Sequence, residues 1–192
     1  MGLEGSYIRV ADAQKGIWPY LEQHHEVAFR LNLLLKVASC LKIPYLFSGQ
    51  EHLGAPIKEI EEFIDDGISF RSSFSLLNDP QMRASLYAKQ VTQWIIVGSE
   101  AHISILQTAR NLKKIGDEVI VLNDVMASRS IFDFSTAIGE MKEEGIRISS
   151  LETICFELLE SIKHPQFNEN KKLLKPLQYP QMDVKKKVLT SV

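Results

Sequence analysis

The sequence predicts an α/β protein with three layers, α/β/α, in which helices cover both faces of a central, mostly parallel sheet of six strands. Short apolar runs alternate with segments whose apolar residues recur at helical spacing. This alternation predicts successive βαβ units, which have right-handed crossovers and parallel strands. The fourth predicted strand, at 92–97, is apolar, so it suits a central position covered on both faces.

The predicted elements follow one another in a regular order. The strands are predicted at 7–11, 44–48, 68–70, 92–97, 118–122 and 146–148. The helices are predicted at 27–41, 56–64, 80–89, 101–115, 130–144 and 150–162. Gly116 and Gly145 directly follow two of these helices, as is typical of helix C-termini.

Composition is that of an ordinary globular protein and argues against several functions. Hydrophobic residues make up 45% and charged residues 24%, and the formal net charge of −2 argues against a surface built to bind nucleic acid. No apolar run is long enough to span a bilayer. The two cysteines, Cys40 and Cys155, are typical of free thiols in a reducing compartment. We therefore expect a cytoplasmic protein that binds neither nucleic acid nor membrane.

One folded domain with an extension is predicted from the length and from a change of composition near the end. Residues 1–165 carry the alternating elements and are predicted to form the α/β domain. After Pro165 the chain becomes rich in lysine and shows no clear periodicity, so residues 166–192 are predicted to form a C-terminal arm or tail.

The sequence contains no recognisable metal or nucleotide motif. Its five histidines are not arranged with cysteine or carboxylate at a zinc-binding spacing. Gly98 and Gly116 belong to neither of the glycine-rich phosphate-binding patterns. We therefore expect no metal and no cofactor.

The strongest functional signal lies where the strand at 92–97 passes through Gly98 into a helix. Ser104 falls in the first turn of that helix. In open α/β folds, ligands bind at the carboxyl ends of strands, where helix N-termini present unpaired N–H groups. A nucleophile and an oxyanion hole can both be built in such a turn. A serine at the start of a helix is equally compatible with a capping role.

Two charged residues follow other predicted strands and are expected at the same edge of the sheet. Asp12 ends the first strand, where a carboxylate can act as a general base, and Arg71 follows the third, where it can bind a carboxylate. Asp12 also fits a turn, and Arg71 also fits the surface. If both residues converge with Ser104, we expect a direct ion pair between them, since an unpaired buried charge is costly.

These segments resemble the isochorismatase-like cysteine hydrolase family, and within it the subgroup of isochorismatase-domain-containing proteins. The resemblance spans roughly Ile8–Leu159 and is clearest in VGSEAHISILQTA, residues 97–109. Further matching segments are Asp12-Ala13-Gln14, Phe74-Ser75, Gln50 with Leu53-Gly54, Asn123-Asp124 and Ser128-Arg129-Ser130. The resemblance implies a Rossmann-like fold, a homo-oligomer and an unknown small molecule as substrate or ligand.

The resemblance also implies which residues form the site. The family's catalytic Asp, Lys and Cys correspond to Asp12, Arg71 and Ser104, so two of the three differ. Family members carry a non-proline cis peptide bond near the nucleophile, and the matching bond is Ser99–Glu100. Residues matching the oxyanion hole and pocket are Ser99, Glu100, Ala101, Phe74 and Gln14.

Both departures weaken the family's covalent chemistry. A cysteine thiol has a pKa of about 8.5, which a cation and a helix N-terminus can lower, whereas a serine hydroxyl needs a strong base. An arginine paired with Asp12 would make that carboxylate a poorer base, and a guanidinium keeps its own proton. We therefore expect the fold and the pocket of the family without its covalent hydrolysis.

Three interpretations remain open at this point. The favoured one is a catalytically degenerate member that binds a small molecule or a partner. The second is an active hydrolase that cleaves a C–N, ester or ether bond with Ser104 or an activated water. The third is a deliberate replacement of the cysteine, which would leave Arg71 unexplained.

Overall fold

Six parallel strands form the central sheet, in the order β3-β2-β1-β4-β5-β6. The structure is a computed structural model that describes residues 5–65, 67–89 and 91–178. The strands are β1 (Ser6–Ala11), β2 (Tyr45–Gly49), β3 (Ser69–Phe70), β4 (Gln93–Ser99), β5 (Glu118–Ala127) and β6 (Arg147–Ser149). The predicted α/β/α class is confirmed, and β4 lies at the centre of the sheet as its apolar sequence predicts.

Helices cover both faces of the sheet and complete the three layers. The α-helices are α1 (His24–Leu41), α2 (Pro80–Ala88), α3 (Leu106–Lys114), α4 (Ile131–Glu143), α5 (Leu151–Leu159) and α6 (Phe167–Gln178). Residues of α1, α5 and α6 share one apolar cluster with the sheet, and residues of α2, α3 and α4 share the other. In the described residues, no helix combines the length and the apolarity needed to cross a membrane.

Strand β1 is buried along its whole length because it lies between β2 and β4. Its side chains alternate between the two layers, as the geometry of a strand requires. Ile8 and Val10 belong to the α1 cluster, whereas Tyr7 and Ala11 belong to the α3 cluster. Arg9 is two residues away from both Tyr7 and Ala11 along the strand. Its side chain therefore lies on their face, which is the α3 side of the sheet.

Two predicted helices differ in their geometry. The segment predicted as a helix at 56–64 contains a 3-10 helix, Lys58–Phe63, which packs on α1 through Ile60. The helix predicted at 101–115 begins with a π-helical turn, Ala101–Ile105, which continues directly into α3. Single turns of π-helix are frequent at functional sites.

The prediction of an arm or tail from residue 166 onward is wrong for its first part. Residues 167–178 form α6, and Asn170 and Leu174 are fully buried. Leu173 and Leu177 pack against the same cluster as α1, so apolar residues recur at helical spacing within the lysine-rich segment. The rest of the predicted tail, including Lys185-Lys186-Lys187, lies outside the described residues.

Gly98 allows β4 to pass close to β1 just before the candidate site. Its φ of +110° is a conformation that side chains rarely adopt, and a Cβ atom there would overlap the carbonyl oxygen of Ala11. The absence of a side chain therefore lets the backbone of β4 approach β1 closely one residue before Ser99.

We expect Gly98→Ala to lower the free energy of unfolding by about 3 kcal/mol, because strain and a backbone overlap act together. Gly139 provides the control, since a Cβ there meets no atom within 4 Å. Gly139→Ala should raise the free energy of unfolding by about 0.5–1 kcal/mol, because alanine favours the helix interior. Urea denaturation measures both values, and equal effects would contradict this account of Gly98.

Candidate active site

The topology brings three residues from distant parts of the sequence to one edge of the sheet. Asp12 follows β1, Arg71 follows β3, and Ser104 lies in the π-helical turn after β4. Strands β1 and β4 are neighbours at the point where the strand order reverses. Open α/β sheets bind their ligands in the crevice that forms at such a point.

Arg71 contacts the other two side chains, and all three are buried. Nη2 of Arg71 lies 2.5 Å from Oδ2 of Asp12 and 2.6 Å from Oγ of Ser104. Nη1 of Arg71 donates to the carbonyl oxygen of Ser73 at 2.9 Å, which holds the guanidinium in place. The ion pair expected between Asp12 and Arg71 is therefore confirmed.

A second arginine, which the sequence analysis missed, also reaches Ser104. Arg9 lies in the middle of β1 and is fully buried. Its Nη2 atom donates to Oγ of Ser104 at 3.1 Å, and its Nε atom donates to Oγ of Ser48 at 3.1 Å. The signal was present in the sequence, because a charged residue inside an otherwise apolar central strand needs a buried partner.

All the buried charged residues of the described chain meet at this site. They are Arg9, Asp12 and Arg71, so two positive charges face one negative charge. Burial, and next the proximity of Arg71, lower the pKa of the Arg9 guanidinium to about 9, while Asp12 acts in the opposite direction. Nη1 of Arg9 and Oδ1 of Asp12 have no hydrogen-bond partner among the described residues.

The hydrogen bonds of Ser104 determine what its hydroxyl can do chemically. Its Oγ atom accepts hydrogen bonds from two guanidiniums, which keep their protons near neutral pH. The carboxylate of Asp12 is bonded to Arg71 and makes no hydrogen bond to Ser104 among the contacts described. A serine nucleophile needs a base that removes its proton, and none of the hydrogen bonds described for Ser104 joins it to a base.

A cavity of about 220 Å³ lies directly over Ser104. Its lining combines polar residues near the sheet edge with apolar walls, and consists of Asp12, Ile17, Gln50, His52, Leu53, Phe74, Ser99, Glu100, Ile103, Ser104 and Arg129. Ser99, Glu100 and Phe74 thus line it, as the resemblance implies. The peptide bond between Ser99 and Glu100 is cis, which confirms that expectation.

Two of the expected pocket residues do not line this cavity. Gln14 instead binds the neighbouring loop: its Nε2 atom donates to the carbonyl oxygens of Gln50 and Gly54, and its Oε1 atom accepts from the N–H of Gln50. Ala101 is fully buried in the α3 cluster. Gln14 therefore shapes the loop that carries part of the lining.

His102 contacts a different group of residues. Its Nδ1 atom lies 2.9 Å from Oγ of Ser128, and its Nε2 atom lies 3.9 Å from Oδ2 of Asp133. The contact with Asp133 is too long for a hydrogen bond, and Ser128 is buried outside the cavity over Ser104. No group of three or more His, Cys, Asp or Glu side chains in the described ranges is arranged to hold a metal ion.

The fold and the site define a three-layer α/β protein with a buried polar cluster beneath a pocket at the carboxyl edge of its sheet. The model of the isochorismatase domain family matches residues 8–153. The chain belongs to the isochorismatase domain family.

Known proteins similar to this chain include a curated relative and two solved structures. Isochorismatase domain-containing protein 2 of Danio rerio is 28% identical over 178 residues, covering 91% of this chain and 89% of that protein. MAR1 ribonuclease of Caenorhabditis elegans superposes with a TM-score of 0.83 at 28% identity, covering 90% of this chain and 91% of that chain. YcaC of Escherichia coli, described as an octameric hydrolase of unknown specificity, superposes with a TM-score of 0.86 at 15% identity, covering 98% and 97%.

Asp12 is the one buried negative charge beside two guanidiniums in the described chain, so its removal should destabilise the fold. We expect Asp12→Asn to lower the free energy of unfolding by about 3–5 kcal/mol, because it leaves buried cations without a counter-charge. In an Arg9→Met background the same change should cost less by about 1 kcal/mol or more, because one of the two cations is gone.

A double-mutant cycle in urea measures that difference. Glu61→Gln removes the exposed ion pair with Lys15 and should cost at most about 1 kcal/mol. If Asp12→Asn costs the same with and without Arg9, the two arginines do not share this carboxylate.

Proposed function

We propose that the protein is a catalytically degenerate member of its family, which keeps a small-molecule pocket or a partner-binding role and has lost covalent hydrolysis. The observation that carries this proposal is the environment of Ser104, whose Oγ atom accepts hydrogen bonds from Arg9 and Arg71. Neither guanidinium can take the proton that a nucleophilic serine must lose.

The state of Asp12 supports the same proposal. Its Oδ2 atom is held by Arg71 at 2.5 Å, and a carboxylate paired with a cation is a weaker base. Its Oδ1 atom is free of partners in the described residues but is shielded from solvent. The pocket over Ser104 is nevertheless formed, so the capacity to bind a ligand does not depend on the chemistry.

The alternative function is an active hydrolase that cleaves a C–N, ester or ether bond of a small molecule with Ser104 or an activated water. The position of Ser104 on the floor of the cavity, beside Ser99 and Asp12, favours this alternative. It requires a base for the attacking oxygen, and Asp12 is the nearest candidate. Turnover measurements separate the two functions.

We expect no turnover of aryl esters or primary amides by the unmodified protein. Ser104→Cys should introduce a thiol that two adjacent cations make reactive, because they stabilise the thiolate. Iodoacetamide should alkylate it faster than Cys155, whose pKa burial raises to about 12. Ser104→Cys combined with Arg71→Lys should hydrolyse the same substrates about 10²–10⁴ times faster than Ser104→Cys alone, because a lysine can exchange its proton.

Serine variants provide the controls for this experiment. Turnover by the unmodified protein that Ser104→Ala abolishes would establish the hydrolase in place of the degenerate protein. Turnover that survives Ser104→Ala and disappears with Ser128→Ala would point to the group around His102. Equal rates for the single and double thiol variants would show that Arg71 is not what limits the chemistry.

We further propose a cytoplasmic homo-oligomer. Both cysteines are free, as is typical of a reducing compartment. Leu53 is half-buried and the ring of Phe74 is largely exposed in one subunit, so a second copy would bury them at the mouth of the cavity.

Light scattering on the purified protein at micromolar concentration should give a mass well above that of one chain. Phe74→Asp should lower that mass, because a charge at an apolar interface opposes association. Arg83→Asp, an exposed position on α2, is the control and should leave it unchanged. A monomeric mass for the unmodified protein would contradict the proposal.

A further inference from the structure

Arg9 leaves the site with a positive charge that no described residue neutralises. Asp12 and Arg71 form one ion pair, and Glu100 and Arg129 form another at the cavity. Arg9 bonds only to hydroxyl groups, and its Nη1 atom is buried without a hydrogen-bond partner in the described chain. The charges around the cavity floor therefore sum to one positive charge.

Ser104 connects this charge to the cavity. Arg9 and Arg71 occupy the two acceptor positions of its oxygen, so its own O–H is left as a donor. Hydrogen bonds from cations polarise that hydroxyl and strengthen it as a donor. Because Ser104 lines the cavity, the floor presents a donor with two cations behind it.

Asp12 does not cancel this preference. Asp12 also lines the cavity, but its Oδ2 atom accepts from Arg71, so its negative charge is already balanced within the site. The cavity floor is thus suited to a negative group.

The walls of the cavity are apolar, which limits the rest of the ligand. Ile17, Leu53, Phe74 and Ile103 surround a volume of about 220 Å³. A single excess positive charge matches one negative charge, as in a carboxylate, better than the double charge of a phosphate group.

We propose that the cavity binds a small organic acid with an apolar body, whose carboxylate accepts a hydrogen bond from Ser104. Arg9 selects the anion electrostatically from beneath the floor, without touching the ligand. This inference rests on the proposed function, because the bound acid is held at Ser104 without being attacked.

Benzoate and benzamide test the inference, because they have nearly the same shape and differ in charge. Calorimetric titration of the full chain should give benzoate a lower Kd than benzamide by about tenfold or more, since a unit charge a few ångströms away acts through a poorly screened interior. Arg9→Met should reduce this ratio to about one.

Arg147→Met is the matched control for Arg9→Met. Arg147 lies on β6, is partly exposed, is paired with Glu157 and does not line the cavity. Its loss should change the ratio by less than about threefold, because solvent screens its charge. A folded Arg9→Met protein, verified by its urea transition, keeps the comparison valid.

Three results would overturn the inference: no binding of benzoate at millimolar concentration, equal binding of benzoate and benzamide, or an unchanged ratio in Arg9→Met. None of these results would indicate that Ser104 is catalytic. Conversely, Ser104-dependent ester turnover would refute the degenerate function while leaving the measured preference for the anion as it is. The two proposals therefore fail in different experiments.

Discussion

Three buried charges at the carboxyl edge of the sheet constrain the candidate site more than any other interaction. Arg9, Asp12 and Arg71 are all withdrawn from water, and a buried charge is tolerated only when partners replace the lost hydration. Asp12 balances one guanidinium, and the hydroxyls of Ser48 and Ser104 take bonds from the other. The position of Ser104 is therefore tied to this charge balance.

The same constraint explains how, in the function proposed above, the site keeps its pocket without covalent chemistry. A catalytic cluster needs one group that gives up a proton and another that accepts it. Here the two groups that contact Ser104 are guanidiniums, which do neither near neutral pH. The fold around them still supplies the crevice between β1 and β4, because that crevice arises from the strand order. Binding and catalysis thus depend on different features of the molecule.

Much of the architecture was predictable because it depends on local patterns. All six strands and five of the six α-helices fall at segments where periodicity and glycine punctuation predicted elements. The part of α6 that the sequence analysis assigned to a tail shows the limit of this approach. Its lysines suggested a solvated segment. Leu173, Leu174 and Leu177 nevertheless recur at a helical spacing, and packing against α1 buries the face that they form.

The sequence by itself determined the three-layer class and the family motifs. It also placed Asp12 and Arg71 after strand ends and Ser104 in a helical turn after a strand, since these positions follow from residue types and their order. Only the tertiary structure decided that Arg9 joins them, because a residue in the middle of a strand acquires its partners from neighbouring strands and helices. Burial between β2 and β4 removes Arg9 from water, and the turn after β4 brings the oxygen of Ser104 within 3.1 Å of it. Packing therefore buries an arginine of an otherwise apolar strand beneath the pocket, where no described residue compensates its charge.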